Sequence, residues 1–196
     1  MLLTQSQLVG TPVMSLQTGT PLALIETPII NPSNLKIIAF EVEGPNLDLR
    51  PSILLVSDIR EFSDVGMIID SSDEFVGSDD IIKLKPLYEL HFTVVGKHVV
   101  DEKHKKIGKV TEYTFDADSF VIQQLNVKRP LFQSLNEAEL LVHRSQIVEI
   151  NDEEIIVKSA TNKKPARSKK KADLAYANPF RQSSPQPETA DTDVKS

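Results

Sequence analysis

The sequence contains no cysteine and no tryptophan, and aromatic residues make up only 6% of it. The absence of cysteine excludes disulfide bonds, thiolate metal sites and a cysteine nucleophile. No run of 18 uncharged apolar residues occurs, and the N-terminus lacks the basic and apolar segments of a secretory signal. The sequence therefore predicts a cytoplasmic protein that does not span a membrane.

Catalytic and metal-binding motifs are also missing. The chain has no phosphate-binding glycine loop, no nucleophile elbow and no paired-histidine metal helix. His98 and His104 flank two carboxylates, but their spacing matches no recognised metal site. The acidic segment 70–80 lacks the alternating oxygen ligands and the terminal glutamate of a calcium loop. These absences predict a protein that is not an enzyme and that binds no cofactor or metal.

Charge is distributed unevenly along the chain. Residues 159–196 contain eight basic and four acidic residues, which leaves 14 basic and 24 acidic residues in residues 1–158. An acidic body repels a phosphate backbone, so only a local basic patch would make nucleic acid a partner.

What the sequence does contain is a repeated pattern of short apolar segments separated by polar turns. In the second half, segments 94–100, 108–115 and 120–127 follow one another in this way, which is typical of an antiparallel meander. Three pairs of segments lie 86 or 87 residues apart: Gly10 with Gly96, Leu54–Val56 with Leu140–Val142, and Ile68–Ile69 with Ile155–Ile156. This nearly constant interval predicts an internal duplication.

Three segments fall outside the shared pattern. Ser134 and Glu137 form a capping box, which predicts one or two helical turns within residues 134–141. Residues 81–90 are predicted to form a last strand and crossing, which places the boundary between the halves near Lys85. Residues 159–196 have few apolar side chains to offset the entropy of ordering, so a disordered basic tail is expected there.

Each half is small, and closing its sheet into a barrel would remove the exposed strand edges. We therefore predict an all-β chain with one antiparallel barrel in residues 1–85 and a second in residues 86–158. Four glycines fit the tight turns or close backbone approaches of such barrels: Gly10, Gly19, Gly96 and Gly108.

The segments that open and close each half resemble PRC-barrel domains. The openings are VGTPVMSLQTGTPLALI and VVGKHVVDEKHKKIGKVTEY, and the endings are SDIREFSDVGMIID and RSQIVEINDEEIIVK. The resemblance covers about residues 8–158 as two copies, and it implies small barrels that bind proteins. Similar domains occur in a photosynthetic reaction-centre subunit and in the bacterial ribosome maturation factor. The chain shows neither the membrane helix of the first nor the distinct N-terminal domain of the second, so neither role transfers to it.

Two groups of basic residues are candidates for partner binding. The first crowds one hairpin and consists of Lys103, His104, Lys105, Lys106 and Lys109; the second, in the tail, is Lys169, Lys170 and Lys171. A solvated hairpin and a solubilising tail explain these charges without any function. The functional alternative is contact with RNA, an anionic membrane surface or an acidic protein.

These observations leave three hypotheses. The first is a non-enzymatic adaptor whose barrels and tail bind an unidentified protein. The second is an accessory factor in ribosome or RNA assembly that binds through the basic hairpin and the tail. The third is an enzyme or small-ligand binder that uses the cleft between the barrels, and a deep pocket lined by convergent polar groups would favour it.

Overall fold

A computed structural model describes residues 1–80, 82, 84–130 and 139–159. The strands of the first half are β1 (Leu2–Thr4), β2 (Pro12–Ser15), β3 (Pro21–Asn31), β4 (Lys36–Glu43), β5 (Ser52–Leu55), β6 (Glu61–Ser63), β7 (Gly66–Ile69) and β8 (Phe75–Gly77). Those of the second half are β9 (His98–Asp101), β10 (Lys106–Asp116), β11 (Val121–Lys128), β12 (Glu139–His143), β13 (Ile147–Ile150) and β14 (Glu154–Val157). The predicted all-β class is confirmed.

Helices are few and short in the part of the chain that the structure describes. The α-helices are α1 (Gln5–Leu8) and α2 (Lys85–Glu89), and the 3-10 helices are Val56–Asp58, Ser72–Glu74 and Arg144–Gln146. No helix among the described residues is long and apolar enough to cross a membrane.

The strand order of the sheet is symmetric: equivalent strands of the two halves lie at equal distances from its centre. It runs β13-β14-β9-β10-β11-β4-β3-β2-β7-β6, so five strands of the second half mirror five of the first. Gly10 and Gly96 have φ angles of 83° and 91°. Their N–H groups donate to the carbonyls of Ile25 and Val110 at 2.7 and 2.9 Å. This symmetry agrees with the internal duplication inferred from the sequence.

The alignment of the two halves differs in part from the one read off the sequence. Phe40 pairs with Leu54, whereas Leu125 pairs with Val142. The counterpart of Leu54 is therefore Val142 and not Leu140. The reason is a longer connection in the second half: Val42 pairs with Ser52 ten residues later, and Val127 pairs with Leu140 thirteen residues later.

The later anchor is displaced by the same longer connection. Val13 pairs with Met67 in the parallel pair of β2 with β7, and Val99 pairs with Ile155 in the parallel pair of β9 with β14. Met67 therefore corresponds to Ile155, so Ile68 corresponds to Ile156 rather than to Ile155.

The two halves meet where β4 and β11 begin, and also where β1 pairs with β10, with Leu2 opposite Asp116. Leu35 and Phe120, at equivalent positions, have φ angles of 52° and 55° and are buried. Ile37 N–H donates to the Phe120 carbonyl at 2.8 Å, and Ile122 N–H donates to the Leu35 carbonyl at 2.9 Å. This contact, which we call the seam, uses the same residues from each half, as an isologous interface does.

The hydrophobic core is shared between the halves. The described residues up to Ser159 belong to one compact unit, and the largest core cluster contains buried side chains from both repeats. At the seam the Phe120 ring lies 5.9 Å from the Phe40 ring and 6.2 Å from the Phe115 ring. Burial of these rings is a main source of stability for the joined structure.

The expectation of two closed barrels is not confirmed. Among the described residues, the hydrogen-bonded path ends at β13 on one side and at β6 on the other, and the sheet is open. β4 paired with β11, and β1 paired with β10, join the two halves into one continuous 14-stranded sheet instead.

One local prediction is wrong: residues 81–90 are predicted to form a strand and crossing, but Lys85–Glu89 is helical, with Pro86 in the first turn, where proline is well tolerated. A second is wrong at its end, because residues 139–141 of the helix predicted within 134–141 pair with β11 as a strand. That pairing supplies hydrogen bonds along several residues, whereas the capping box supplies them only at a helix start. Residues 134–138 and the expected disordered tail from residue 160 onward lie outside the described residues.

Tyr113 provides a test of the core. It is 2% exposed, and its hydroxyl has no hydrogen-bond partner among the described residues; burial also raises the pKa of this phenol. We expect Tyr113→Phe to raise the free energy of unfolding by about 1 kcal/mol, because a buried unpaired hydroxyl is destabilising.

Urea denaturation at neutral pH measures this difference. The matched control is Phe115→Tyr, which places a hydroxyl at a fully buried position of the same strand and is expected to lower stability. A loss of stability in Tyr113→Phe would show that the hydroxyl is hydrogen-bonded in solution.

Candidate functional site

The basic hairpin predicted from the sequence is the turn between β9 and β10. Asp101 organises it, since its Oδ1 accepts hydrogen bonds from the N–H groups of Lys103 and Lys105, each at 2.9 Å. These bonds lower the pKa of Asp101, that from Lys105 contributing most. His104 has a φ angle of 56°, at the position where the first repeat has Gly19 with 68°.

Carboxylates are interspersed with the basic residues of this hairpin. His104 Nδ1 lies 3.1 Å from Glu154 Oε1, and Glu102 Oε2 accepts a hydrogen bond from the Ser159 N–H at 3.1 Å. The hairpin is therefore a surface of mixed charge. Lys169, Lys170 and Lys171 lie outside the described residues.

The four glycines divide into two kinds. Gly10, Gly19 and Gly96 have positive φ angles, which favour glycine. Gly108 lies on β10, where a Cβ would overlap the Lys128 carbonyl oxygen. Gly108 thus allows the close approach of β10 to β11.

Lys97 is a buried residue that the sequence analysis did not identify. It is only 8% exposed, and its Nζ donates to the carbonyls of Asn151 and Asp152 at 3.1 and 2.5 Å. The same nitrogen lies 4.7 Å from the centroid of the Phe92 ring. Burial lowers the pKa of Lys97. Its contacts anchor the turn between β13 and β14.

A groove lined by ionisable groups lies between the sheet of the first repeat and α2. Two adjoining cavities of about 260 and 250 Å³ share Glu41 and Tyr88. The other ionisable residues that line them are Glu26, Glu43, Arg50 and His91. The rings of Tyr88 and His91 meet edge to face, with centroids 5.6 Å apart.

The surroundings of Glu41 in this groove shift its pKa. Burial raises the pKa of Glu41, and the negative charge of Glu26 adds to the effect. The positive charge of His91 and a hydrogen bond from Tyr88 act in the opposite direction.

No group of three or more histidine, aspartate or glutamate side chains in the described ranges could hold a metal ion. Tyr88 also packs on a small apolar cluster with Leu84, so the groove is where α2 attaches to the sheet.

That attachment covers the outer face of the first repeat, and β8 extends the same face. β8 pairs with β5 through Ser52 with Gly77, Ile53 with Val76, and Leu54 with Phe75. Ile29, Ala39, Ile53 and Leu84 form the buried cluster beneath α2. As a result Ile53 is 0% exposed.

The second repeat has a different outer face. Glu41 pairs with Ile53 in the first repeat and Asn126 pairs with Leu141 in the second, so Leu141 is the counterpart of Ile53. Leu141 is 59% exposed. Among the described residues β12 pairs with β11 alone, whereas β5 pairs with both β4 and β8. We call the outer side of Glu139–His143 the β12 edge.

The neighbours of Leu141 are polar. Ile29 pairs with Ala39 in the first repeat, and at the equivalent place Thr114 pairs with Gln124. A sheet face with such residues is suited to contact with water. Leu141 and Leu2, which lies opposite Asp116 on the same face and is also 59% exposed, are apolar exceptions. Of the two, Leu141 lies on a strand with one partner that belongs to the repeated pattern, so the β12 edge is the candidate contact surface.

Basic residues lie at one end of the β12 edge. Lys128 pairs with Glu139 on one side and with Lys109 on the other. Two lysines therefore lie beside a single glutamate. Lys109 is close to the hairpin in sequence, but its cross-strand neighbour Lys128 connects it to this end of β12.

The β12 edge has no local signal in the sequence, because the exposure of Leu141 depends on which strands the rest of the chain covers.

In comparisons with known proteins, no family model and no curated sequence matches the chain.

Glu41 gives a prediction with a defined pH dependence. Its pKa is raised in the folded protein, so the folded state binds a proton more readily than the unfolded state, and stability is lost as pH rises through the folded pKa. We expect Glu41→Gln to raise the free energy of unfolding at pH 7. The gain should be under about 1 kcal/mol, because the carboxylate is partly solvated.

Denaturation at two pH values tests this expectation. The gain should shrink as pH falls through the raised pKa of Glu41 and be gone below its ordinary value of 4.5, because the wild-type residue is then protonated in both the folded and the unfolded state. Glu43→Gln, at an exposed position of the same strand, is the control and should change stability little. A gain in Glu41→Gln that is equal at both pH values would contradict the explanation.

Proposed function

We propose that the chain is a non-enzymatic protein-interaction module built from two PRC-like units, with the β12 edge as its contact surface. The supporting observation is the difference between two equivalent strands. The chain covers β5 with its own β8 and α2, while β12 has one partner among the described residues and exposes Leu141.

An open strand edge suits a protein partner for a physical reason. It presents backbone N–H and C=O groups that another polypeptide can pair with, and soluble proteins usually cover or charge such edges. An exposed leucine beside those groups adds apolar surface that a partner can bury, and burial of a leucine side chain contributes about 1.5–3 kcal/mol.

The groove at Glu41 gives less support to a small-ligand function. Glu41 and Tyr88 line both of its cavities, and the groove follows from the docking of α2 on the sheet. These features favour binding at the second repeat over binding in the groove.

The proposal predicts capture of a protein in a Leu141-dependent manner. Affinity capture from native lysate with the wild-type chain should enrich a partner, and Leu141→Lys should abolish the enrichment by placing a charge on the contact surface. Val148→Lys is the matched control, because Val148 is also an apolar edge-strand residue and is 52% exposed. Recovery of no protein above background, or equal recovery with all three chains, would contradict the proposed function.

The accessory factor in ribosome or RNA assembly is the second candidate function. The exposed lysines at the turn between β9 and β10 support it, while Glu102 and Glu154 nearby reduce its electrostatic attraction to phosphate. If this function holds, the chain should cosediment with ribosomal particles less strongly as salt rises. Replacing Lys103, Lys105 and Lys106 by Glu should abolish that association, and cosedimentation unchanged by salt and by this variant would contradict it.

A further inference from the structure

The first repeat shows what kind of segment covers β5, whose counterpart β12 pairs with β11 alone in the described ranges 1–80, 82, 84–130 and 139–159. We infer that the β12 edge binds one extended strand of a partner protein, which pairs antiparallel with β12. This inference rests on the proposed function. The strand carries an apolar residue opposite Leu141 and acidic residues after its C-terminal end.

The register of this strand follows from β8. β5 and β12 are equivalent, and β8 places Gly77, Val76 and Phe75 opposite Ser52, Ile53 and Leu54. The counterparts of those three β5 residues are Leu140, Leu141 and Val142. A strand added in the same register places its central residue opposite Leu141, as Val76 is opposite Ile53.

The side chain at that central position is expected to be apolar. Val76 packs against the outer apolar cluster of the first repeat, together with Leu84 and Ile53. A similar residue on the partner strand would cover Leu141, which is otherwise 59% exposed. Cross-strand pairs of apolar residues stabilise sheets in this way.

The charge of the flanking residues is set by the basic end of the edge. In an antiparallel arrangement, residues that follow the partner strand lie near Glu139, where Lys128 and Lys109 are side by side. β8 is itself followed by Asp79 and Asp80, where Asp79 pairs with Lys85 and Asp80 accepts a hydrogen bond from the Gly77 N–H. Acidic residues at the same place on a partner would be attracted by Lys128 and Lys109 and repelled by Glu139, which lies between them and the lysines, so the net effect is a modest attraction, and basic residues would be disfavoured.

A protein strand fits this surface better than RNA does. The β12 edge offers alternating backbone donors and acceptors in an extended row, which another peptide backbone matches. RNA has no such backbone, and only the lysines would attract it. RNA binding is therefore an outcome that would count against the inference.

A peptide with the sequence of residues 72–80, SDEFVGSDD, is the probe. Binding of the labelled peptide to the full chain is followed by fluorescence anisotropy. We expect saturable binding that is weakened about tenfold or more by Leu141→Lys, since tenfold corresponds to about 1.4 kcal/mol and a buried leucine contributes at least that much. Val148→Lys should bind the peptide as the wild-type chain does. No saturable binding, or equal loss in both variants, would overturn the inference.

Amide chemical shifts show where the peptide binds. Strand addition predicts changes concentrated in residues 139–143. Changes concentrated in residues 52–55 would mean that the peptide replaces β8 on β5, which would overturn the inference.

Backbone N-methylation separates strand addition from simple apolar contact. Alternate amides of an edge strand point toward its partner, so one of two peptides, methylated at Phe75 and Gly77 or at Val76 and Ser78, should lose binding. The other peptide should retain it. Loss of binding in both, or in neither, would contradict strand addition.

A charge-reversed peptide tests the flanking residues. Replacement of Asp79 and Asp80 by Lys should weaken binding at low salt, and the difference should narrow at high salt because the charges are exposed. Equal binding of the two peptides would overturn the assigned acidic flank.

The failure of this inference can be told apart from the failure of the proposed function. If the lysate partner is captured in a Leu141-dependent manner but the peptide neither binds nor competes, the module binds proteins by another mode. If no protein is captured, the function itself fails. A dimer of this chain that the peptide dissociates, seen by sedimentation, would show that a second copy occupies the edge and would overturn the partner strand. RNA captured in place of protein would do the same.

Discussion

The reciprocal hydrogen bonds at the seam are the contact on which the rest of the structure depends. Ile37 donates to Phe120 and Ile122 donates to Leu35, and the two left-handed residues that accept are both buried. Non-glycine residues adopt this conformation at some cost, which the surrounding contacts must offset. The aromatic packing around Phe120 supplies such contacts. Because the seam fixes β4 beside β11, it determines which faces point inward and which remain outside.

The two outer faces differ, among the described residues, in what covers them. After β7 the chain forms β8 and α2, which cover β5 and bury Ile53. The residues at equivalent places of the second repeat, Thr114 and Gln124, are polar. The sequence is thus adapted to a covered face in one repeat and to a solvated face in the other. Leu141 departs from that adaptation, and for this reason we assign it to a contact.

The sequence predicted the repeated strands well, because alternating apolar residues and turn residues at Gly10 and Gly96 are local signals. It misplaced Leu54 against Leu140, since the length of the connection after β11 cannot be seen in an apolar doublet. It missed α2 because the helix is short and is held by contacts of Leu84 and Tyr88 with a distant sheet. The β12 edge was missed for the same reason, because exposure of Leu141 is a property of the whole assembly of strands. The basic hairpin was found by composition, but its carboxylate neighbours come partly from β14.

The seam is made by the same short segment from each repeat, and this has a consequence for why the repeats are fused. A contact of that kind is available to two separate identical molecules as well as to two halves of one molecule. Two identical molecules, however, would have identical outer faces. In one polypeptide the segment that connects the repeats can cover the outer face of the first repeat and leave that of the second exposed. Fusion therefore allows a symmetric core to have an asymmetric surface.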